Sequence, residues 1–143
     1  MSKPVTYASP DDVEQSFYQL VARGDADLLM QVWSDEEESL CVHPTGIRLL
    51  GLAPICDSWR SIFATTTLRV QAETVARWQG GMLAIHHLTE ILFVGDDPNP
   101  HGPLYVTHVY GRGAHGWRLL SRHASAADDR HQARVESSSL TLH

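Results

Sequence analysis

The sequence predicts an α+β fold, in which a curved, mostly antiparallel sheet wraps around three N-terminal helices and leaves a conical cavity. Two observations along the chain lead to this prediction. Apolar residues recur at helical spacing up to about residue 67, interrupted by one short apolar strand. From residue 68 to residue 126 the spacing changes to the alternation of half-buried strands. Helices and antiparallel strands that are segregated in this way are typical of α+β domains.

Length, charge and composition limit the classes of protein that this chain represents. Its 143 residues suffice for one domain, placed at residues 10–126 between an N-terminal arm (1–9) and a polar tail (127–143). A formal net charge of -6 disfavours nucleic acid as a partner. No stretch approaches the roughly 20 apolar residues that span a bilayer, and the start lacks the apolar segment of a signal peptide. We therefore expect a cytoplasmic protein with reduced Cys41 and Cys56 and no membrane partner.

The first two helices are bounded by start and stop signals. The segment SPDD at residues 9–12 combines a cap, a proline for the first turn and acidic residues for the positive helix end. Apolar residues then share one face to about Arg23, where the GD pair at 24–25 breaks the helix. A second helix with an apolar side ends near Trp33.

A short strand and a third helix form the segment around which a pocket is expected. LCVH at residues 40–43 predicts a buried strand that is ended by Pro44. The helix that follows carries Trp59 and Phe63 on one face. The imidazole of His43 therefore lies at the mouth of a strand beside an aromatic helix face, an arrangement that favours a pocket without identifying its ligand.

Four strands complete the predicted domain as an antiparallel meander. They run from residue 68 to about 78, from 82 to 94, from 104 to about 112 and from 117 to 126, with the turn-rich loop GDDPNPHGP at 95–103. The second strand is apolar on both faces in places, so we expect the outer face to be covered by a second copy of the chain.

Several motifs, taken in order, resemble the nuclear transport factor 2-like superfamily and, within it, the SnoaL-like bacterial domains. They are RGD at 23–25, VHPTG at 42–46, SWRSIF at 58–63 and GWRLLSRHAS at 116–125, and the resemblance covers residues 10–126. It implies a cone-shaped barrel with a pocket in the cone and a homodimer through the sheet. The superfamily includes ketosteroid isomerases, polyketide cyclases, scytalone dehydratase and kinase oligomerisation domains, so the fold does not assign a function.

The resemblance to ketosteroid isomerases can be followed residue by residue. Their oxyanion-hole tyrosine corresponds to Phe17, their general-base aspartate to His43 and their protonated aspartate to Thr107. Since the replacements remove the oxyanion hole, we do not expect a steroid isomerase of that type.

The last strand resembles that of the kinase association domain, which places Trp117, Ser121 and His123 in the pocket. These residues alternate in phase, so they are expected to share one face of the sheet. The predicted pocket lining is, in full, Phe17, Cys41, Trp59, Phe63, His86, Leu88, Thr107, Trp117, Ser121 and His123.

The neighbouring residues His86 and His87 face opposite sides of their strand, so one of them points into the cone. The resemblance favours His86, together with Glu90, which is then either a buried carboxylate with a partner or a solvated one at the rim. The histidines are spread over different strands without a close pair, so we predict no metal and no cofactor.

Three functions remain open from the sequence. The first is a homodimer that binds a small, largely apolar molecule in the cone. The second is an enzyme with His43 as the general base for isomerisation, cyclisation or dehydration. The third is an oligomerisation domain without a ligand. In the first two, desolvation is expected to lower the pKa of His43 and keep its ring neutral at pH 7.

Overall fold

The computed structural model describes residues 5–128 and shows the predicted α+β class. In this part of the chain three helices pack on one six-stranded sheet that forms an open cone and does not close into a barrel. The elements are α1 (Pro10–Arg23), α2 (Ala26–Leu29) with a 3₁₀ turn (Met30–Val32), β1 (Leu40–Val42), β2 (Arg48–Leu50), α3 (Leu52–Thr65), β3 (Leu68–Gln79), β4 (Leu83–Val94), β5 (His101–Gly113) and β6 (Gly116–Ala126). None of the described helices is long and apolar enough to cross a membrane.

The strands lie in the order β2-β1-β6-β5-β4-β3 across the sheet. Strands β3 to β6 form the predicted antiparallel meander. Strand β1 pairs with β6 in parallel, and β2 pairs with β1 in an antiparallel hairpin. The sequence gives no signal for β2, because its three residues RLL are mostly exposed and show no apolar alternation. The parallel pairing brings the end of β1, and with it His43, next to the middle of β6.

Helix α1 begins and ends at the predicted signals. The Ser9 side chain accepts a hydrogen bond from the N–H of Asp12 at 3.1 Å, and Pro10 occupies the first turn. Gly24 ends the helix in the left-handed conformation at a φ of 69°, and its N–H satisfies carbonyls of the last turn. The helix buries Phe17 and its apolar neighbours against the sheet, so α1 forms one wall of the interior.

The described part of the N-terminal arm is anchored to the sheet. Tyr7 is buried and bridges to Gly116, and its carbonyl accepts the N–H of Trp117 at 2.9 Å. A Cβ on Gly116 would lie 2.3 Å from the carbonyl oxygen of Tyr7, so this approach requires glycine. The predicted tail lies outside the described residues beyond residue 128.

The connection between β4 and β5 is shorter than the predicted loop of residues 95–103. Strand β5 already begins at His101, which is in register with Leu92 of β4. Pro103 lies within the strand, where its carbonyl accepts the N–H of Ala127 at 3.1 Å. Proline removes a hydrogen-bond donor from a strand but leaves an acceptor. The last residues of the proline-rich segment PNPHGP can therefore still pair with neighbouring strands.

The pairing of β5 with β6 contains an irregularity that decides which side chains enter the interior. Val109 is in register with Ser121, whereas the next residue, Tyr110, is in register with Leu119. Leu120 is therefore an extra residue in β6. Such a bulge reverses the inward and outward phase of the strand beyond it.

Candidate functional site

The interior contains a cavity of about 160 Å³ between α1, α3 and the sheet. Its lining is apolar except for two side chains, His43 at the end of β1 and Arg122 in β6. The complete lining is Phe17, Val21, His43, Pro44, Trp59, Ile62, Leu68, Val70, Leu92, Leu104 and Arg122. Larger depressions, such as one of about 440 Å³ beside Glu36 and Arg118, lie on the surface among charged side chains. The interior cavity is therefore the candidate ligand site.

Three predicted lining residues, Thr107, Ser121 and His123, lie instead on the outer face of the sheet. Thr107 and His123 are in register with each other and with His87, in the row of side chains that the helices do not cover. Placing Ser121 and His123 in phase with the inward-facing Trp117 was wrong, because the bulge at residue 120 lies between them. For Thr107, alternation alone does not say which face is inner.

Five other predicted lining residues lie in or against the core and do not border the cavity. His86, Leu88 and Trp117 are buried on the inner face of the sheet. Phe63 packs on Trp59 with ring centroids 5.6 Å apart. Cys41 is fully buried, and burial raises the pKa of its thiol to about 11, so this sulfur is not a nucleophile at neutral pH.

His43, Phe17 and Trp59 are the predicted residues that do border the cavity. The His43 ring lies edge-on to Trp59 at 5.4 Å, and its Nε2 is 2.9 Å from the hydroxyl oxygen of Ser58. Burial lowers the pKa of His43, and the positive charge of Arg122 lowers it further. The imidazole is therefore neutral at pH 7, in the form that accepts a hydrogen bond or a proton.

A buried ion pair forms the polar wall of the cavity. Arg122 donates from Nη1 to Oε2 of Glu90 at 2.7 Å and from Nη2 to Oε1 at 2.8 Å, and Tyr18 donates to Oε2 at 2.5 Å. Burial alone would raise the pKa of Glu90, but the charge and hydrogen bonds of Arg122 outweigh it and lower the pKa. Glu90 is thus the buried carboxylate with a partner, and the solvated alternative does not apply.

The hydrogen-bond pattern around His108 assigns its tautomer. Nη1 of Arg122 lies 3.0 Å from Nε2 of His108, and because a guanidinium only donates, Nε2 accepts. Nδ1 therefore carries the hydrogen and donates to the Tyr110 hydroxyl at 2.8 Å. The hydroxyl in turn donates to Glu14 at 2.9 Å. Burial lowers the pKa of His108, which agrees with a neutral ring.

Glu14 is the second buried carboxylate of this cluster. It accepts hydrogen bonds from Nδ1 of His86 at 2.9 Å, from Tyr110 and, at 3.1 Å, from the hydroxyl of Thr74. Burial would raise the pKa of Glu14, but interactions with His108, His86 and Tyr110 outweigh it and hold the pKa at about 2. The carboxylate is therefore ionised near neutral pH and is not a proton donor.

Neither phenol of the cluster is available to stabilise an oxyanion. Burial and the neighbouring carboxylate raise the pKa of Tyr18 and of Tyr110. Each hydroxyl hydrogen is already donated, to Glu90 and to Glu14 respectively. The oxyanion hole that the sequence lacks is thus not rebuilt from other residues of this cluster.

The polar residues that sequence reasoning missed are Glu14, Tyr18, His108, Tyr110 and Arg122. The sequence could have indicated Glu14 and Tyr18 as buried polar residues, because they lie four residues apart beside the apolar face of α1. Their hydrogen-bond partners are 60 to 96 residues away in the chain, beyond the reach of local periodicity.

Asp11, Glu14 and His86 come within 4.8 Å of one another and have the ligand types of a metal site. Their atoms are engaged otherwise, since Asp11 pairs with Arg77 at 3.2 Å and His86 donates to Glu14. We assign no metal to this group.

The fold defines the class of protein first. Open cones of this kind are found in nuclear transport factor 2-like proteins, described also as having a cystatin-like fold. Within that class, the chain belongs to the SnoaL-like domain family, whose profile matches residues 11–129. No curated protein matches the chain.

Two solved structures are similar in both sequence and fold. A candidate calcium/calmodulin-dependent protein kinase type II association domain from Thiobacillus denitrificans is 31% identical, with a TM-score of 0.79 over 88% of this chain and 100% of that one. A candidate dehydratase of the NTF2-like family from Streptomyces avermitilis is 28% identical, with a TM-score of 0.73 over 81% and 91%. A ketosteroid isomerase-like protein from Erwinia carotovora atroseptica, at 13% identity and a TM-score of 0.68 over 82% and 93%, shares the fold alone.

Proposed function

We propose that the protein binds a small, largely apolar molecule in the interior cavity, with His43 and Arg122 as its polar contacts. The observation that carries this proposal is an apolar cavity onto which a neutral imidazole and a buried guanidinium converge. An apolar cavity of about 150 Å³ in another protein holds benzene. A cavity of about 160 Å³ therefore suits a ligand of one ring or a short branched chain.

We expect His43→Ala to weaken the binding of phenol roughly threefold to tenfold at pH 7, the size of one lost hydrogen bond. Neutral His43 accepts the phenol O–H, so the same affinity falls on acidification as the ring becomes protonated. Phenol is titrated into the protein and followed by the amide NMR shifts of the cavity lining.

The matched control is His123→Ala, which removes an exposed imidazole from the outer face of the sheet. It should leave phenol binding unchanged. Equal losses in both variants, or shifts confined to residues outside the cavity lining, contradict the assignment of this cavity as the binding site.

A second candidate function is catalysis by the same cavity. It is favoured by the position of a neutral base, His43, and a cation, Arg122, on one apolar lining. His43 would take a proton from a carbon atom, and Arg122 would donate hydrogen bonds to the oxygen on which negative charge develops, as isomerisation, cyclisation or dehydration requires. The similar dehydratase candidate agrees with this reading. Turnover of a substrate by the purified protein separates the two candidates.

We also propose that the protein is a homodimer through the outer face of the sheet. Trp78, Leu83 and Ile85 are 59%, 55% and 39% exposed on that face, near one end of β3 and β4. A second copy would cover this apolar surface. Light scattering at micromolar concentration should give twice the chain mass of 15.9 kDa.

The dimer proposal has its own matched variants. Ile85→Glu places a charge in the centre of the patch and should yield monomers. Ile47→Glu changes an equally apolar, exposed residue in the turn between β1 and β2 and should leave the dimer intact. A wild-type mass of one chain refutes the dimer.

A further inference from the structure

We propose that the ligand presents a neutral carbonyl oxygen to the free edge of the Arg122 guanidinium, which makes small ketones, esters or amides the ligand class. This inference rests on the proposed function, because it assigns the chemistry of a molecule in the same cavity. The hydrogen bonds of Arg122 and the charges around it carry this inference.

Arg122 uses only part of its donor capacity. A guanidinium has five N–H groups. Nη1 donates to Glu90 and to His108, and Nη2 donates once, to Glu90. The second hydrogen of Nη2 and the hydrogen of Nε have no partner among residues 5–128. Nη1 and Nη2 each donate one hydrogen to the Glu90 carboxylate. The unpaired hydrogens of Nε and Nη2 therefore lie side by side on the Nε–Nη2 edge of the guanidinium, where one oxygen can accept both.

Arg122 borders the cavity, and its free edge is not fully enclosed by protein. In the described part of the chain, the only side-chain nitrogens and oxygens that are both enclosed and unpaired are the indole nitrogens of Trp33 and Trp59. The unpaired Nε of Arg122 is therefore not enclosed, although the residue is only 5% exposed. The open space that borders Arg122 inside the fold is the cavity. A nearly buried donor pair without an acceptor favours a ligand that supplies one.

The charge balance selects a neutral acceptor over a carboxylate. The positive charge of Arg122 is already matched by Glu90 in two hydrogen bonds. Glu14, with its pKa held at about 2, adds a second buried negative charge close to His108. A ligand carboxylate would add a third anion to a buried cluster that contains one guanidinium, and it would lose its hydration on entry. A carbonyl oxygen gains the same donors without that cost.

The remaining lining sets the shape of the ligand. Leu92, Leu104 and Val70 offer no polar atom to it, and the ring of Phe17 lies against the guanidinium at 4.9 Å. The part of the ligand beyond its carbonyl is therefore apolar. A molecule such as acetophenone, with one ring and one carbonyl group, combines the expected size and chemistry.

The test uses three probes of similar size: acetophenone with a neutral acceptor, ethylbenzene with none, and benzoate with a charged one. Each is titrated into the intact protein at pH 7, with NMR detection of the Arg122 Nε–H resonance and of the amide shifts of the cavity lining. We expect acetophenone to bind about tenfold more tightly than ethylbenzene, benzoate to bind most weakly, and the Nε–H resonance to shift with acetophenone only.

The outcomes separate this inference from the proposed function. Equal or tighter binding of ethylbenzene overturns the carbonyl and leaves the apolar cavity site in place, and tightest binding of benzoate overturns the choice of a neutral ligand. No binding of any probe overturns both. Because Arg122 variants could unfold, the cavity is tested with Leu92→Phe, which narrows it and should weaken acetophenone and ethylbenzene alike.

Discussion

Replacing Glu90 by glutamine is expected to lower the free energy of unfolding by about 3–5 kcal/mol, the usual cost of removing one partner of a buried ion pair. Glutamine keeps the size of the side chain and an acceptor for Tyr18, but it leaves the guanidinium of Arg122 uncompensated in the interior. Urea denaturation at pH 7 measures the difference between the variant and the wild-type protein.

The matched control is Asp27→Asn, which breaks the ion pair of Asp27 with Arg60 at 2.7 Å. Both side chains of that pair are more than half exposed, so its loss should cost less than about 1 kcal/mol. If the two substitutions cost the same, burial does not strengthen the Glu90–Arg122 pair and the prediction is wrong.

The stability difference should also depend on pH in a defined direction. The pKa of Glu90 is lowered in the folded state, so its contribution is fully present above the unfolded pKa and is lost as the pH falls through the folded pKa. The contribution of Glu14 to stability, with a pKa of about 2 in the folded state, is also lost as the pH falls. Because Glu14 is present in both the wild-type protein and the glutamine variant, it does not account for the difference between them. The wild-type and variant stabilities should therefore converge in acid and diverge toward neutral pH.

The helices and the meander could be predicted because their signals are local. The cap at Ser9, the left-handed end at Gly24 and the change of period at residue 68 all act within a few residues. Apolar spacing needs no knowledge of the partner element. The strand β2 lacks such a signal, since its pairing with β1 depends on the turn between them.

The candidate site was predictable only in part, for two physical reasons. The first is the inward and outward alternation of β6. One extra residue, Leu120, shifts this alternation, so that Arg122 lies inside the cone and His123 outside. No local pattern in GWRLLSRHAS indicates that Leu120 is a bulge. The second is sequence distance. The sequence favours an inward Glu90 but does not identify its partner, because Arg122 lies 32 residues away and looks like a solvated side chain until Glu90 is placed beside it.

The resemblance indicated the position of His43 but not the polar side chain that shares the cavity with it. Its place at the end of β1 and its lowered pKa agree with the expectation from the sequence. The partners that were expected across the cavity, Thr107 and His123, are absent from it, and a guanidinium takes their place. The polar chemistry of this cavity is therefore one base and one cation, which differs from the acid-lined site of the isomerases that the sequence resembles.

Tyr110→Phe is expected to let His108 populate both neutral tautomers. The orientation of the Arg122 guanidinium should then become less well fixed. The hydroxyl of Tyr110 accepts from Nδ1 of His108 while donating to Glu14, and this fixes Nε2 as the acceptor for Arg122. Without the hydroxyl, the hydrogen on Nδ1 loses its acceptor, and only the N–H that Arg122 donates to Nε2 still favours this tautomer. A hydrogen on Nε2 would face the N–H of Arg122, and the guanidinium would have to turn away.

Imidazole ¹⁵N NMR measures this directly, with protonated Nδ1 and bare Nε2 expected in the wild type and a mixture of tautomers in Tyr110→Phe. Acetophenone affinity should fall about threefold to tenfold, the size of one hydrogen bond. The free energy of unfolding should fall by about 1–3 kcal/mol, because Glu14 loses a donor in a buried site. The control is Tyr7→Phe, which removes the hydrogen bond of Tyr7 to Ser16 at 2.8 Å and should change neither the His108 spectrum nor the affinity. An unchanged His108 tautomer in Tyr110→Phe would show that Arg122 alone orients the ring, and that Tyr110 contributes only to stability.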